Sequence, residues 1–391
     1  TLDLLAHISS LNWKKAKKAG AKNPASLLTT NCFLSNSLDR EHFFTLLKKT
    51  QEIYHSFSRL PKRYVQIMNI LTMGLSGVSE EIFPLSHVLP SILSNLQEMF
   101  GLTFEKKEKE DVPVLWQETV EVFEVSFEGN ILGSLFFDIQ VDSTASAIMY
   151  SFRKTTELSN AFVPLVGPLP MNIVKVRVSS LNLKIVEIGL ILHELGHALF
   201  DFLNVSRNQQ RIEPDLFEIP SILFEKMAFD PTFIGKLIRP DLKTPALVAE
   251  IGRQVKRFQK NRRSEIFVYV YAYFDLLLHT DQTFLSKLQS DGFCLHELFK
   301  NTLSGMIYST SAEKCIKYTS LVRYRGIQYS YALCDRITTL LHMKIAENAD
   351  REYPRAFQEL FLKPIEDSYL SNLNTFLGKE FSTAPEFMEF M

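Results

Sequence analysis

The chain has 391 residues, of which 46 % are apolar and 22 % charged, enough for a sizeable core and two or three domains of ordinary size. Lys plus Arg total 43 against 44 Asp plus Glu, a net charge of −1, so no global field draws nucleic acid or an anionic membrane towards it. The composition excludes a disordered or fibrous protein.

The first hundred residues carry helical periodicity. Arg40 to Arg59 spaces Phe43, Phe44, Leu46, Leu47, Ile53 and Tyr54 at near-helical intervals, and Leu85 to Phe100 repeats the pattern. The basic run Lys14, Lys15, Lys17, Lys18 and Lys22 reads as a solvated helix face or arm. Near residue 113 the period changes to alternation. Val120 to Phe127, a Glu128-Gly129-Asn130 turn, and then Leu135, Phe137 and Ile139 predict a β-hairpin. Ala147 to Phe152 and Ile173 to Val178 are further predicted strands, separated by a loop containing Pro164, Gly167, Pro168 and Pro170. From about Leu183 to the end the helical period returns. The expected fold class is therefore α+β, predominantly α-helical, with a small β-sheet beside a central helix and a helical C-terminal lobe.

The most apolar stretch, Ile266 to His279, is interrupted by Asp275 and is shorter than the roughly 20 residues that a membrane span requires; it predicts a buried helix. The four cysteines (Cys32, Cys294, Cys315, Cys334) are scattered without a C-x-x-C pair and read as reduced thiols. No phosphate-cradling glycine motif is present.

One segment carries chemistry: His193-Glu194-Leu195-Gly196-His197. Four residues apart on a helix, the two imidazoles leave the same face one turn from each other. Two nitrogen ligands at that spacing suit tetrahedral Zn2+, and Glu194 between them is placed to act on water at the metal; the alternative is two histidines on one helix with an incidental Glu between them. Gly196 admits a close approach by another backbone or a substrate. Downstream, Asp215, Glu218, Ile222 and Glu225 fall on one stripe of a second helix. Glu218 lies 21 residues after His197, and a connection of this length can fold that helix back and offer Glu218 as third ligand, leaving a fourth position open to water. Asp215 and Glu225 are each read either as a partner that orients a ligand imidazole or as a plain surface carboxylate.

His193-Glu194-Leu195-Gly196-His197-Ala198 followed by Asp215-Leu216-Phe217-Glu218-Ile219-Pro220-Ser221 resembles the paired signature of the thimet-oligopeptidase family of zinc peptidases, and within it the mitochondrial intermediate peptidase branch. Gly133 to Asp138, Leu93 to Leu102, Phe267 to His279, Leu321 to Tyr324 and Tyr329 to Tyr331 extend the likeness over about residues 85 to 345. The resemblance implies that His193, His197 and Glu218 bind zinc and that Glu194 is the general base. It further implies that Tyr324 and Tyr331 stabilise the oxyanion, and that Arg211 and Tyr329 contact substrate. The implied activity is a zinc metalloendopeptidase acting on short or unfolded peptides, in the mitochondrial matrix or, alternatively, the cytosol.

Members of that family are nearly twice as long. Residues 1–112 would then be a remnant of the helical lobe that roofs their substrate channel, and residues 113–391 the catalytic domain. The departures from the family's pattern motivate a second expectation. Ser320 stands where the family has a His, Gln328 where it has a second Tyr, Arg323 where it has a loop Gly, and Gln209-Gln210-Arg211 where it has Gly-Thr-Arg. Leu199-Phe200 stands where it has Met-His. On that reading the chain is a weak or inactive, peptidase-derived structural subunit of a larger mitochondrial assembly, with a protein partner covering the side of the missing lobe.

Overall fold

The computed structural model describes residues 2–28, 32–33, 82–109, 112, 115–142, 170–206, 212–260, 272, 275–288, 326–365, 368–383 and 386–387. In chain order these form α1 (Leu2–Lys18), α2 (Pro24–Leu28), α3 (Leu85–Phe100), β1 (Leu102–Lys106), β2 (Glu121–Phe127), β3 (Asn130–Val141) and β4 (Met171–Val178). Helices follow: α4 (Ile185–Ser206), α5 (Ile219–Met227), α6 (Pro231–Lys236), α7 (Pro245–Lys260), α8 (Gln282–Leu288), α9 (Tyr329–Ile345), α10 (Ala349–Phe357) and α11 (Tyr369–Leu377). The fold is predominantly helical α+β, with one four-stranded sheet among the described residues.

The expected helix over Leu85–Phe100 forms as α3. It buries Val88, Leu89, Ile92, Leu93, Leu96 and Phe100 at helical spacing and ends at Gly101, whose left-handed backbone lets its N–H cap the Gln97 carbonyl. The expected hairpin forms as β2 and β3. Phe127 pairs with Asn130, and the two residues between them, Glu128 and Gly129, both have positive φ (50° and 78°). That turn matches the right-handed twist of the flanking strands. The sheet order is β1-β2-β3-β4, antiparallel except for the parallel β3–β4 pair. The predicted strand Ala147 to Phe152, the predicted helix Arg40 to Arg59 and most of the Ile266 to His279 stretch lie outside the described residues.

Alternation along β3 sends side chains to both sides. Leu135 and Phe137 enter the main core, while Phe136 joins Val120, Val122 and Met171 on the opposite face, where Trp116 stacks on its ring at 5.6 Å. β1, which lies before the expected division at residue 112, pairs with β2 after it, and the main core runs from Phe33 to Phe387.

α4 is the centre of that core. Ile188, Ile191, Leu192, Leu195, Ala198, Leu199, Phe202 and Leu203 are all buried, so the helix is apolar around most of its circumference. Its start is pinned by Glu187, fully buried, whose carboxylate accepts the N–H groups of Lys184 (2.8 Å) and Ser179 (2.6 Å). The first of these bonds is the Glu half of a capping box; the second ties the helix to the end of β4. Asn172 of β4 donates to the Ala198 carbonyl at 3.2 Å and fixes the sheet to the helix midway along it. α5 lies against α4 at Gly196. A Cβ there would stand 2.7 Å from the Pro220 carbonyl oxygen and 2.9 Å from the Ser221 Cα. The close approach that Gly196 admits is thus the backbone of α5.

Candidate metal centre

Two helices supply the site. α4 projects His193 and His197 from one face, and α5 begins immediately after Glu218, its N-cap residue. The Glu218 Oε2 atom stands 3.0 Å from Nε2 of His197 and 3.4 Å from Nε2 of His193. One ligand atom from each of the three residues can be chosen so that all lie within 4.8 Å of one another. Around a tetrahedral zinc with bonds of about 2.0–2.1 Å, neighbouring ligand atoms are roughly 3.3 Å apart. The two Glu218–imidazole separations bracket that edge, and two imidazoles with one carboxylate are a donor set that suits such an ion.

Supporting contacts hold each ligand in place. Glu225 Oε2 lies 2.9 Å from Nδ1 of His193, the outer hydrogen bond that fixes a ligand imidazole's tautomer and turns its Nε2 lone pair inward. The Phe217 ring stacks on the His197 ring at 5.1 Å. Ser221 donates to the Glu218 carboxylate and to its carbonyl, both at 2.9 Å. The charges reinforce one another. Burial by itself would lower the His193 pKa, but hydrogen bonds and charge from Glu218 and Glu225 hold it well above the ordinary imidazole value. Burial would raise the Glu218 carboxyl, yet the His197 charge and the hydrogen bonds from both imidazoles pull it well below the usual carboxylate range.

Glu194 is 5 % exposed, and its Oε2 atom is buried without a hydrogen-bond partner. A carboxylate in that condition is costly unless something else uses it, and it sits between two metal-ligand candidates.

The other expected site residues fall elsewhere. Asp215 is fully buried, which overturns the surface-carboxylate reading. Its oxygens accept from the backbone N–H of Phe33 (2.7 Å) and the Tyr329 hydroxyl (2.9 Å). Tyr329, expected at the substrate, is 1 % exposed and turned inward onto Asp215. The reason lies in packing: the first turn of α9 faces the turn that carries Asp215, and a phenol is the donor that this buried carboxylate can use. Tyr331 lies in the same turn of α9, half-buried. Gln328, the residue before α9, is 8 % exposed; its N–H donates to the buried Asp275 carboxylate at 2.9 Å, and its side-chain oxygen is unpartnered. Tyr324, Arg211, Ser320 and Arg323 lie outside the described residues. The sequence reading missed Ser221, Phe217 and Glu187. Ser221 was legible in principle, as a hydroxyl one helical turn after a carboxylate at a helix start.

Comparison with known proteins bears on the family. The model described as peptidase family M3 matches residues 48–385. A probable thimet oligopeptidase of Arabidopsis thaliana is 25 % identical over 236 residues, covering 56 % of this chain and 32 % of that protein. A mitochondrial intermediate peptidase of Phaeosphaeria nodorum is 30 % identical over 126 residues, covering 31 % of this chain and 15 % of that one. The chain thus spans about a third or less of the curated relatives it matches. The family match takes in the sheet, α4, α5 and the helices that follow, well over half of the chain, and the chain belongs to peptidase family M3.

Proposed function

We propose that this chain binds zinc through His193, His197 and Glu218 and hydrolyses short or unfolded peptides, with Glu194 as general base. The observation that carries the reading is the pairing of a converging His-His-Glu donor set with a buried carboxylate oxygen that has no other partner. A purely structural zinc site uses four protein ligands and has no need of such a base.

Zinc, when bound, would supply Lewis acidity towards a water and the scissile carbonyl. This chain's residues would do the rest. Glu194 takes a proton from the attacking water at Oε2 and returns it to the departing amine nitrogen. Its low exposure keeps bulk water from competing for that oxygen. Glu225 holds the His193 ring so that Nε2, not Nδ1, faces the site. The phenols of Tyr324 and Tyr331 are proposed as donors to the developing oxyanion.

The thimet oligopeptidase and mitochondrial intermediate peptidase names of the relatives support the peptide substrate class, and the second supports a mitochondrial setting. No helix among the described residues is long and apolar enough to cross a membrane.

Gln328 favours a second reading, a weakly active or inactive peptidase-derived subunit, because an amide cannot offer the acidic proton of the phenol that the resemblance places there. Hydrolysis of a mixed quenched-peptide library by the wild-type chain and by Glu194→Gln, with zinc quantified in both, separates the two. Turnover lost only in the variant, at equal zinc content, supports the peptidase. Bound zinc with turnover in neither moves the assignment to the inactive subunit.

A further inference from the structure

The turn that delivers Glu218 is tied to three distant parts of the chain. Residues 213–219 form two consecutive turns that share Leu216, with Leu216 N–H on the Glu213 carbonyl and Ile219 N–H on the Leu216 carbonyl, both at 2.9 Å. The Glu218 carbonyl is then fixed by Ile222 N–H at 3.0 Å. Within this short, hydrogen-bonded unit Asp215 stands three residues before Glu218, fully buried. One carboxylate oxygen takes the Phe33 N–H, from 182 residues earlier in the chain. The other takes the Tyr329 hydroxyl, from 114 residues later. The Asp215 carbonyl accepts from Cys334 Sγ at 3.1 Å, and Ser368 Oγ donates to the Glu213 carboxylate at 2.5 Å. All of these bonds are made by the turn that carries Glu218, and none of them ends on the three candidate ligand atoms.

We infer that Tyr329 and the Phe33 backbone, joined at Asp215, form a buried strut that sets the position of Glu218 and thereby the affinity of the His193–His197–Glu218 site for zinc. The inference rests on the metal-site reading proposed above and gives Tyr329 a positioning role in place of contact with substrate. A chelate of three side chains from two helices is sensitive to fractions of an ångström, because all three ligand atoms must meet one small ion at about 2.0–2.1 Å. His193 and His197 share one helix and keep their mutual spacing whatever else moves. Glu218 arrives on a separate element, so its place depends on what holds the turn. Taking a hydrogen bond away from a buried carboxylate weakens what holds the turn that carries it.

The test uses the full 391-residue chain. Metal would be removed, and zinc titrated back in competition with a chromogenic chelator, well below the melting temperature of every protein compared. Tyr329→Phe keeps the ring and removes only the donor. Its zinc affinity is expected to fall by about 10-fold, the lower end of what losing a direct hydrogen-bond partner of a ligand costs, because Tyr329 acts one residue further out, through Asp215. Asp215→Asn keeps the shape but weakens both bonds, and should fall likewise; it also serves if Tyr329→Phe does not fold. Tyr353→Phe is the control. It deletes another buried phenol, which donates to the Asp230 carboxylate at 3.5 Å, at the start of α6 and away from the turn. It should lower melting temperature while leaving zinc affinity at the wild-type value. Wild-type affinity in both Tyr329→Phe and Asp215→Asn would overturn the strut, as would an equal loss in Tyr353→Phe. A wild-type chain that takes up no zinc would instead bring down the metal reading, and the strut with it.

Discussion

The two sides of the candidate site are built on different principles. On the metal side, α4 and the start of α5 present candidate ligand atoms whose spacing follows from helix geometry and from one glycine that brings the helices together. On the other side, the approach to α9 carries the residues that resemblance would enlist for the oxyanion and the substrate. There the structure turns Tyr329 inward to Asp215 and engages the backbone of Gln328 with Asp275. The first side is specified by local sequence; the second is specified by what packs against it. A short motif therefore carries much information about metal binding and little about how the reaction is finished.

Replacing Glu194 by Gln gives the largest expected effect and tests the first side directly. Removing a general base typically lowers turnover by about 10²–10⁴-fold. Zinc content should be unchanged, because Glu194 is not among the converging donors. Metal analysis beside a peptide-hydrolysis assay checks both halves, and equal turnover in the two proteins would remove Glu194 from the mechanism. Gly196→Ala attacks the same side through packing. Its Cβ would fall 2.7 Å from a backbone carbonyl that has no flexible end to yield. Overpacking commonly costs about 1–3 kcal/mol, and a backbone clash belongs at the upper end. Chemical denaturation should report a destabilisation of about 3 kcal/mol, with weakened zinc binding as α5 is pushed away.

The electrostatics of the metal side make a third test. His193 is held well above the ordinary imidazole pKa by Glu218 and Glu225, so at neutral pH zinc must displace a proton to bind there. Zinc affinity should therefore rise with pH until that raised pKa is passed, and fall on acidification from a higher starting point than for an ordinary histidine. Each pH unit below it costs about tenfold for a single displaced proton. Glu225→Gln removes one of the charges that raise His193, which moves the onset to lower pH. It also loosens the ring, lowering affinity at high pH by about 10-fold. Chelator competition across a pH series reads both effects. An unshifted onset would show that Glu225 does not govern His193.

These contrasts explain what could be read before the fold was known. The His193–His197 pair, Gly196, the Glu128-Gly129 hairpin turn and the periodicity of Leu85–Phe100 are all signals within a few residues, and each matches an element of the structure. The stripe expected for Asp215, Glu218, Ile222 and Glu225 on one helix forms only in part: that helix starts at Ile219, so Glu218 is its N-cap and Asp215 lies in the turn before it. Asp215 shows where such reasoning stops. Its partners lie 182 and 114 residues away, and no spacing rule connects Phe33, Asp215 and Tyr329. The inward turn of Tyr329 is likewise set by the buried charge it meets, which the order Tyr329-Ser330-Tyr331 does not encode.

Gln328 offers the smallest expected effect and the sharpest probe of the second side. Its side chain is 8 % exposed, and its amide oxygen is buried without a partner, so that oxygen adds desolvation cost and no compensating bond. Gln328→Leu keeps the approximate volume and removes the polar end. The backbone N–H that binds Asp275 is untouched. Folding stability should change by less than about 1 kcal/mol, in the stabilising direction, since deleting an unsatisfied polar group gives up no hydrogen bond. A structural remnant predicts that hydrolysis, where wild type shows any, is unaltered as well. A loss of turnover beyond about tenfold with unchanged stability would instead assign the amide a contact with substrate. The second side of the site would then have kept a working residue under a different chemistry, and the contrast between the two sides would be one of specificity, with catalytic competence intact on both.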